Sequence, residues 1–360
     1  MSVDKVPSVG LLGIATFLPP ELRGNDWWPA ATVARWRAAR PPLPPLPADA
    51  TPAMQRVMAA LTAQGADPFH GVTTRHVLPA GMTALDMERA AAEQAIARAG
   101  VDRAAIDLLL THSPVPEVLL SNPGPPLHRA LGLAPACLAL QLDASSYSFL
   151  AQLALAEQLV AAGRARHVLL VQSAVSSRLL DPDDPVSPLL GDGAAAAVVG
   201  PTPGAGVRAA VHRTDGRFPR TLIASTRGGR WYDRGDLVLH NGDPRGAFQV
   251  FLETADLAAE VVGAALAAAG ARAQDVRLFG VHQGTPWLRQ VTQEATGLAG
   301  ARTVDTLAAT GYLFAASIPL VLETAQRRGL VARGDLVVLH GGGVGATYGA
   351  IALDWGDPIA

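Results

Sequence analysis

Four stretches of this chain are apolar without alternation. They are Val9–Leu18 (VGLLGIATFL), Asp107–His112 (DLLLTH), His167–Ala174 (HVLLVQSA) and Asp335–His340 (DLVVLH). A strand with one wet face alternates polar and apolar residues; one that does not is covered on both faces. Between these runs lie patterns of helical period at Ala84–Ala99, Phe149–Gly163, Gly246–Ala269 and Phe314–Arg328. Buried strands alternating with helices leave a layered α/β architecture with helices on both sides of the sheets. With 49% hydrophobic and 17% charged residues in 360, the chain has the apolar surface such layers need.

Each half offers helix, strand, Gly- or Ser-rich turn, helix and strand in a comparable order, the signature of an internal duplication. The expected units are 1–200 and 201–360. The first carries an insertion at about 25–68 that holds Trp27, Trp28 and the run PPLPPLP (Pro41–Pro47). That run predicts an extended spacer with few backbone donors. Thr51 before Pro52 predicts a helix start. Thr214–Pro244, rich in Gly and Arg, reads as a linker.

Composition narrows the function. A net charge of −2 argues against a nucleic-acid binder, and the single cysteine, Cys137, excludes an intrachain disulfide and disfavours a metal cluster. The N-terminus lacks the basic start and long apolar run of a signal peptide, and no apolar run reaches the ~20 residues of a membrane span. A cytoplasmic protein without a bound metal is the expectation.

Chemistry-bearing residues gather at strand ends. In LQLDASSYSF (Leu140–Phe149) an apolar strand breaks through small residues straight into a helix. Such a junction presents a side chain above the sheet with helix N–H groups aimed at it, although a helix cap is the commoner use of Ser. His282, in GVHQG, ends an apolar strand and suits proton transfer with a Ser hydroxyl, or a structural hydrogen bond. GGGVGATYG (Gly341–Gly349) allows close backbone approach, for an oxyanion hole or for a tight turn. GDG at Gly191–Gly193 reads as a structural turn. Walker and dinucleotide-binding glycine patterns are absent.

SSYSF, GDGAAAAVV, HQG, GYLFAASIP and GGVGATYGA occur in the order in which the β-ketoacyl-ACP synthase III family of the thiolase superfamily carries a nucleophile turn closing in Gly-Phe, then GDGA, HQA, GNTSAAS and GGGFTWG. The chain resembles that family over nearly its whole length outside the Pro-rich insertion. The resemblance implies a five-layered α/β/α/β/α thiolase fold of two similar halves, usually a homodimer. It also implies acyl-CoA or acyl-carrier-protein substrates, no permanently bound cofactor, and an acyl-enzyme intermediate.

The chain departs from the family where the chemistry is done. Counting back from Phe149 puts Ser146 at the position of the family's nucleophilic Cys; a one-residue shift puts Ser145 there. A Ser needs a base, which the resemblance assigns to His282. It assigns the oxyanion hole to backbone N–H groups of Ser146, Val344 and Gly345. Tyr312 stands where the family's Asn helps to stabilise the enolate left by decarboxylation, so acyl transfer survives where decarboxylative condensation is disfavoured. Phe314 and Tyr147 are expected to shape the substrate pocket. Phe69 replaces the family's adenine-stacking Trp, with Trp27 and Trp28 as substitutes. Arg289, Arg327 and Arg328 are candidates for carrier docking. The resulting expectation is a starter-unit-type acyltransferase of natural-product biosynthesis that passes an acyl group through Ser146. Two alternatives remain: a non-catalytic thiolase-fold partner in a heterodimer with a Cys-bearing subunit, and a condensing enzyme that uses Ser.

Overall fold

The structure, a computed structural model, describes residues 8–39, 42–118 and 120–359. The expected N-terminal segment therefore begins within β1 (Ser8–Phe17), and Pro41 of the proline run lies outside the described residues. In chain order there follow β2 (Glu21–Gly24), α1 (Ala30–Ala38), α2 (Pro52–Gln64), β3 (Thr74–Val77), α3 (Ala84–Ala99), β4 (Leu108–His112), α4 (Gly124–Leu131), β5 (Leu138–Gln141), α5 (Ser148–Ala161), β6 (Val168–Val175) and β7 (Asp192–Thr202). The remainder comprises β8 (Gly206–Thr214), β9 (Ile223–Ser225), β10 (Val238–His240), α6 (Pro244–Ala268), β11 (Val276–Val281), α7 (Leu288–Ala295), α8 (Leu307–Thr310), α9 (Ser317–Arg327), β12 (Leu336–Gly343) and β13 (Thr347–Asp354).

Local chemistry sets the helix ends. The Thr51 hydroxyl accepts the Met54 N–H at 3.1 Å, with Pro52 at the first helical position. Thr83 and Asp86 form a reciprocal capping box at the start of α3, and Gly100 closes that helix in the left-handed conformation.

Two sheets carry the fold. The first runs β1-β7-β6-β4-β5, and the second runs β8-β13-β12-β11. A single parallel bridge from Leu278 to Arg302 extends the second sheet in the place that β5 takes in the first. The directions match too: β1 and β7 are antiparallel, as are β8 and β13, while β6 and β4 are parallel, as are β12 and β11. Between the sheets, Leu150 and Leu153 of α5 and Ile318 and Val321 of α9 share one core with Leu110 and Leu170 of the first sheet and Leu339 and Ile351 of the second. The outer face of the first sheet is covered by α3 and α4, and that of the second by α2, α6 and α7. These are the five layers of a thiolase fold, in two similar halves.

The duplication reaches the turns that precede the central helices. Ser145 (φ 54°) stands before α5 and Phe314 (φ 49°) before α9, each opening a short 3-10 turn. A left-handed non-glycine residue is uncommon, and here it occurs at the same place in both halves. The two turns face one another across the centre of the molecule.

Thr214–Pro244 is no mere linker. It carries the β9–β10 pair, and Thr221, Leu222 and Asn241 within it line the central cavity. Strand β8 has a weak sequence signal because only one of its residues is fully buried, and α7 because it is only eight residues long. Thr83→Ala removes the capping box and should lower stability by about 1 kcal/mol in urea titration. An unchanged midpoint would show that tertiary packing alone sets the start of α3.

Candidate active site

The β5–α5 junction is held by its own polar groups. Ser148 Oγ donates to the Ser145 carbonyl at 2.7 Å and accepts the Ala144 N–H at 2.8 Å. Asp143 Oδ1 accepts the Ser145 N–H at 2.7 Å and lies 3.3 Å from Nδ1 of the buried His112. Neither His112 nitrogen has an aligned hydrogen bond among the described residues. Opposite the turn, the end of β12 approaches so closely that a Cβ on Gly343 would stand 2.3 Å from the Ala144 carbonyl oxygen. Only glycine fits there.

These constraints leave Ser146 buried and bordering a cavity of about 200 Å³. The polar lining includes Ser146, His282, Tyr312 and His340; the apolar lining includes Leu189, Leu222, Val250, Phe251, Leu257 and Leu288. Ser145, the alternative nucleophile, does not line the cavity and serves as the left-handed hinge.

The Ser146 hydroxyl is hydrogen-bonded to the Tyr312 hydroxyl. Tyr312 is fixed by its N–H on the Leu189 carbonyl (2.7 Å), by its carbonyl accepting the Gly191 N–H (3.2 Å), and by stacking on Phe314 at 4.7 Å. Burial pushes its phenol well above the usual range, so it stays protonated.

The expected Ser146–His282 hydrogen bond is not formed among the described residues. His282 Nδ1 accepts the Gly342 N–H at 3.3 Å, so the neutral ring carries its proton on Nε2 and offers a donor there. Burial first, and the neighbouring His340 second, push the His282 pKa down to about 3. As placed, His282 offers a donor at Nε2, and its Nδ1 lone pair is engaged by the Gly342 N–H. Gln283, its neighbour, anchors the approach to Tyr312: it donates to the Val304 carbonyl and accepts the Thr306 and Leu307 N–H groups.

His340 went unread in the sequence. It lies within β12, just before the three glycines that close the strand, donates from Nδ1 to the Gly349 carbonyl at 3.0 Å, and has its pKa lowered to about 4 by burial. The available signal was one it shares with His282, a histidine at the end of an apolar run with glycine within two residues.

Other expectations need correction. Val344 lines the cavity, whereas Gly345 does not. Phe314 and Tyr147 lie behind it: Phe314 supports Tyr312, and the Tyr147 hydroxyl is hydrogen-bonded to His212 Nδ1 at 2.6 Å. Phe69 does not line it either and packs on Trp28, whose indole N–H donates to Ser187 Oγ at 3.1 Å. Trp28 is thus a core residue, and exposed Trp27 is covered by the Arg23 guanidinium 3.9 Å from its ring centre. Cys137 is a buried free thiol whose pKa burial raises to about 11, which makes it a core residue. The Asp192 carboxylate of GDG accepts the Leu78 and Ser177 N–H groups, a structural tie. No group of three or more His, Cys, Asp or Glu among the described residues is placed to hold a metal.

Residues 140–216 match the family described as 3-oxoacyl-[acyl-carrier-protein (ACP)] synthase III, and 266–355 match its C-terminal part. The β-ketoacyl-[acyl-carrier-protein] synthase III of Brucella abortus (strain S19) is 30% identical over 292 residues, spanning 79% of this chain and 88% of that protein. The chain belongs to the β-ketoacyl-ACP synthase III family. The Rhodobacter capsulatus synthase III is 31% identical over 296 residues, with the same coverage. Among solved structures, synthase III of Pseudomonas aeruginosa PAO1 superposes with a TM-score of 0.78 at 25% identity, covering 98% of this chain and 100% of that one. Xanthomonas campestris OleA with bound lauric acid and lauroyl-CoA shares the fold at a TM-score of 0.75 and 18% identity, covering 98% of this chain and 100% of that one.

Two predictions follow from the site's packing and charge. Gly343→Ala drives a Cβ into the Ala144 carbonyl and should lower stability by roughly 1–3 kcal/mol while abolishing the Ser146–Tyr312 contact; a crystal structure with an unmoved 144–146 turn would contradict it. His282 and His340 stay neutral in the folded protein but take up protons near pH 6.5 when unfolded. Their contribution is fully present above the unfolded pKa and is lost as pH falls towards the folded values. The urea midpoint should therefore drop between pH 7 and pH 5. The drop should shrink in His340→Asn; an equal drop in that variant would refute the assignment.

Proposed function

We propose that this chain is an acyltransferase that takes an acyl group from acyl-CoA or acyl-carrier thioester onto Ser146 and passes it to a carrier protein or small-molecule acceptor. The observation that carries this reading is the Ser146–Tyr312 hydrogen bond at an apolar cavity, with Tyr where the resemblance places Asn. In the first half-reaction the Ser146 oxygen bonds to the thioester carbon and the carbon–sulfur bond breaks. The Ser146 proton passes to the Tyr312 oxygen as the Tyr312 proton passes to the leaving sulfur. No charge accumulates on the phenol, which suits its raised pKa. The His282 Nε2–H, with the backbone N–H groups of Ser146 and Val344, supports the oxyanion.

The lack of a base hydrogen-bonded to Ser146 favours the second reading, a non-catalytic partner subunit. Intact-mass measurement after exposure to acyl-CoA and acyl-carrier donors separates the two. We expect a mass gain that disappears in Ser146→Ala and forms about 10²-fold more slowly in Tyr312→Phe. No gain with any donor, together with co-purification of a Cys-bearing homologue, would support the partner role. A gain that persists in Ser146→Ala but vanishes in Ser145→Ala would move the nucleophile.

Among the three arginines proposed for carrier docking, two are already ion-paired. Arg289 is engaged by Asp305 at 2.7 Å and Arg327 by Glu323 at 2.8 Å, which leaves exposed Arg328. No described helix is long and apolar enough to cross a membrane. Strand β5 ends its sheet with Leu138 and Leu140 exposed at 57% and 44%, an apolar edge of the kind that pairs with another strand. We infer a homodimer through this edge. Leu138→Glu with Leu140→Lys should give a monomer in light scattering, and an unchanged dimer would place the interface elsewhere.

A further inference from the structure

Reaction through Ser146 needs a base in the second half-reaction, when an acceptor O–H, N–H or S–H attacks the acyl ester. His282 cannot serve as it sits, since its Nδ1 accepts the Gly342 N–H and its Nε2 carries the proton. Tyr312 is held neutral. The cavity contains one further imidazole. His340 is 2% exposed, and its Nδ1 lies 3.0 Å from the Gly349 carbonyl oxygen. A carbonyl only accepts, so the proton sits on Nδ1 and the lone pair on Nε2. Nε2 has no partner among the described residues, and the residue lines the same cavity as Ser146, Tyr312 and His282.

The two histidines are therefore set in opposite tautomers by backbone groups of one short segment. Gly342 donates to His282, and Gly349 accepts from His340. They are also tied together, for the His282 N–H donates to the His340 carbonyl at 3.2 Å. One ring presents a donor and the other an acceptor. A merely structural buried histidine is normally satisfied at both nitrogens. Burial lowers the His340 pKa, which keeps the ring neutral and its lone pair available at neutral pH.

We propose that His340 is a second catalytic histidine, the general base that takes the proton from the acceptor as it attacks the acyl group. The acceptor heteroatom bonds to the acyl carbon, its proton goes to His340 Nε2, and the bond to Ser146 Oγ breaks. Ser146 regains a proton from Tyr312, and the imidazolium returns its proton to Tyr312. Atoms and charge balance without another reactant. The proposal rests on the Ser146 reading, since it assigns the base for the second half of that reaction.

The test uses His340→Asn, which keeps a side-chain N–H for the Gly349 carbonyl and removes the Nε2 lone pair. Turnover from an acyl-CoA donor is measured to a graded series of small alcohols and thiols, with acyl-Ser146 followed by mass. We expect alcohol transfer to fall 10²–10⁴-fold. Transfer to low-pKa thiols, already ionised, should fall at least tenfold less than transfer to alcohols, and acyl-Ser146 should still accumulate. A merely structural role would lower all acceptors equally, and that result, or unchanged alcohol transfer, overturns the proposal. Turnover without acyl-Ser146 would sink the Ser146 reading, while the alcohol-to-thiol contrast would still decide His340. Neither turnover nor acylation with any donor would overturn both.

Discussion

Everything at this site hangs on the contact between two copies of one turn. The first half ends its strand in Ala144–Ser145–Ser146, and the second half ends in Leu313–Phe314–Ala315 beside Tyr312. Both turns pass through a left-handed residue before a central helix. The fold sets these turns face to face, and the hydrogen bond between Ser146 and Tyr312 spans the gap. The Ser148 hydroxyl, the Asp143 carboxylate and the close approach of Gly343 fix one side. The Leu189 and Gly191 backbone and the Phe314 ring fix the other. The geometry around Ser146 is thus a property of the duplicated scaffold.

That contact also explains how the chain can depart from its family at two positions at once. A Ser hydroxyl is a poor nucleophile unless its proton has somewhere to go. Tyr312 gives it a neutral hydroxyl to exchange protons with, in a pocket where burial disfavours a phenolate. A Ser for Cys and a Tyr for Asn therefore read as one coupled change. With the proton handled there, His282 is free to act as a donor, and its ring is held in the tautomer that permits this.

Much of the fold was legible because its signals are local. Runs such as DLLLTH and HVLLVQSA have no polar face to mistake, and Thr51-Pro52 announces a helix start through a hydrogen bond made within one turn. The order of SSYSF, HQG and GGVGATYGA located Ser146 and His282. Direction was not legible. Phe314 and Tyr147 neighbour the site in sequence and Phe69 was assigned to it by resemblance, yet all three pack into supporting cores, because which face a side chain takes depends on layers brought together from distant segments. His340 was missed for the opposite reason. Its place in the cavity depends on α6 and on the 220–242 segment, both far from it in sequence.

On the proposed reading, the group at the Tyr312 position determines whether acyl transfer replaces decarboxylative condensation. A single phenol bonded to Ser146 leaves His282 without the second donor that an enolate would need. Carboxyl-labelled malonyl-carrier thioester, offered to the parent and to Tyr312→Asn, reads this out as released carbon dioxide. The account predicts no release above background from the parent and measurable release once Asn is restored. Release from the parent at a rate matching or exceeding that of Tyr312→Asn would contradict it.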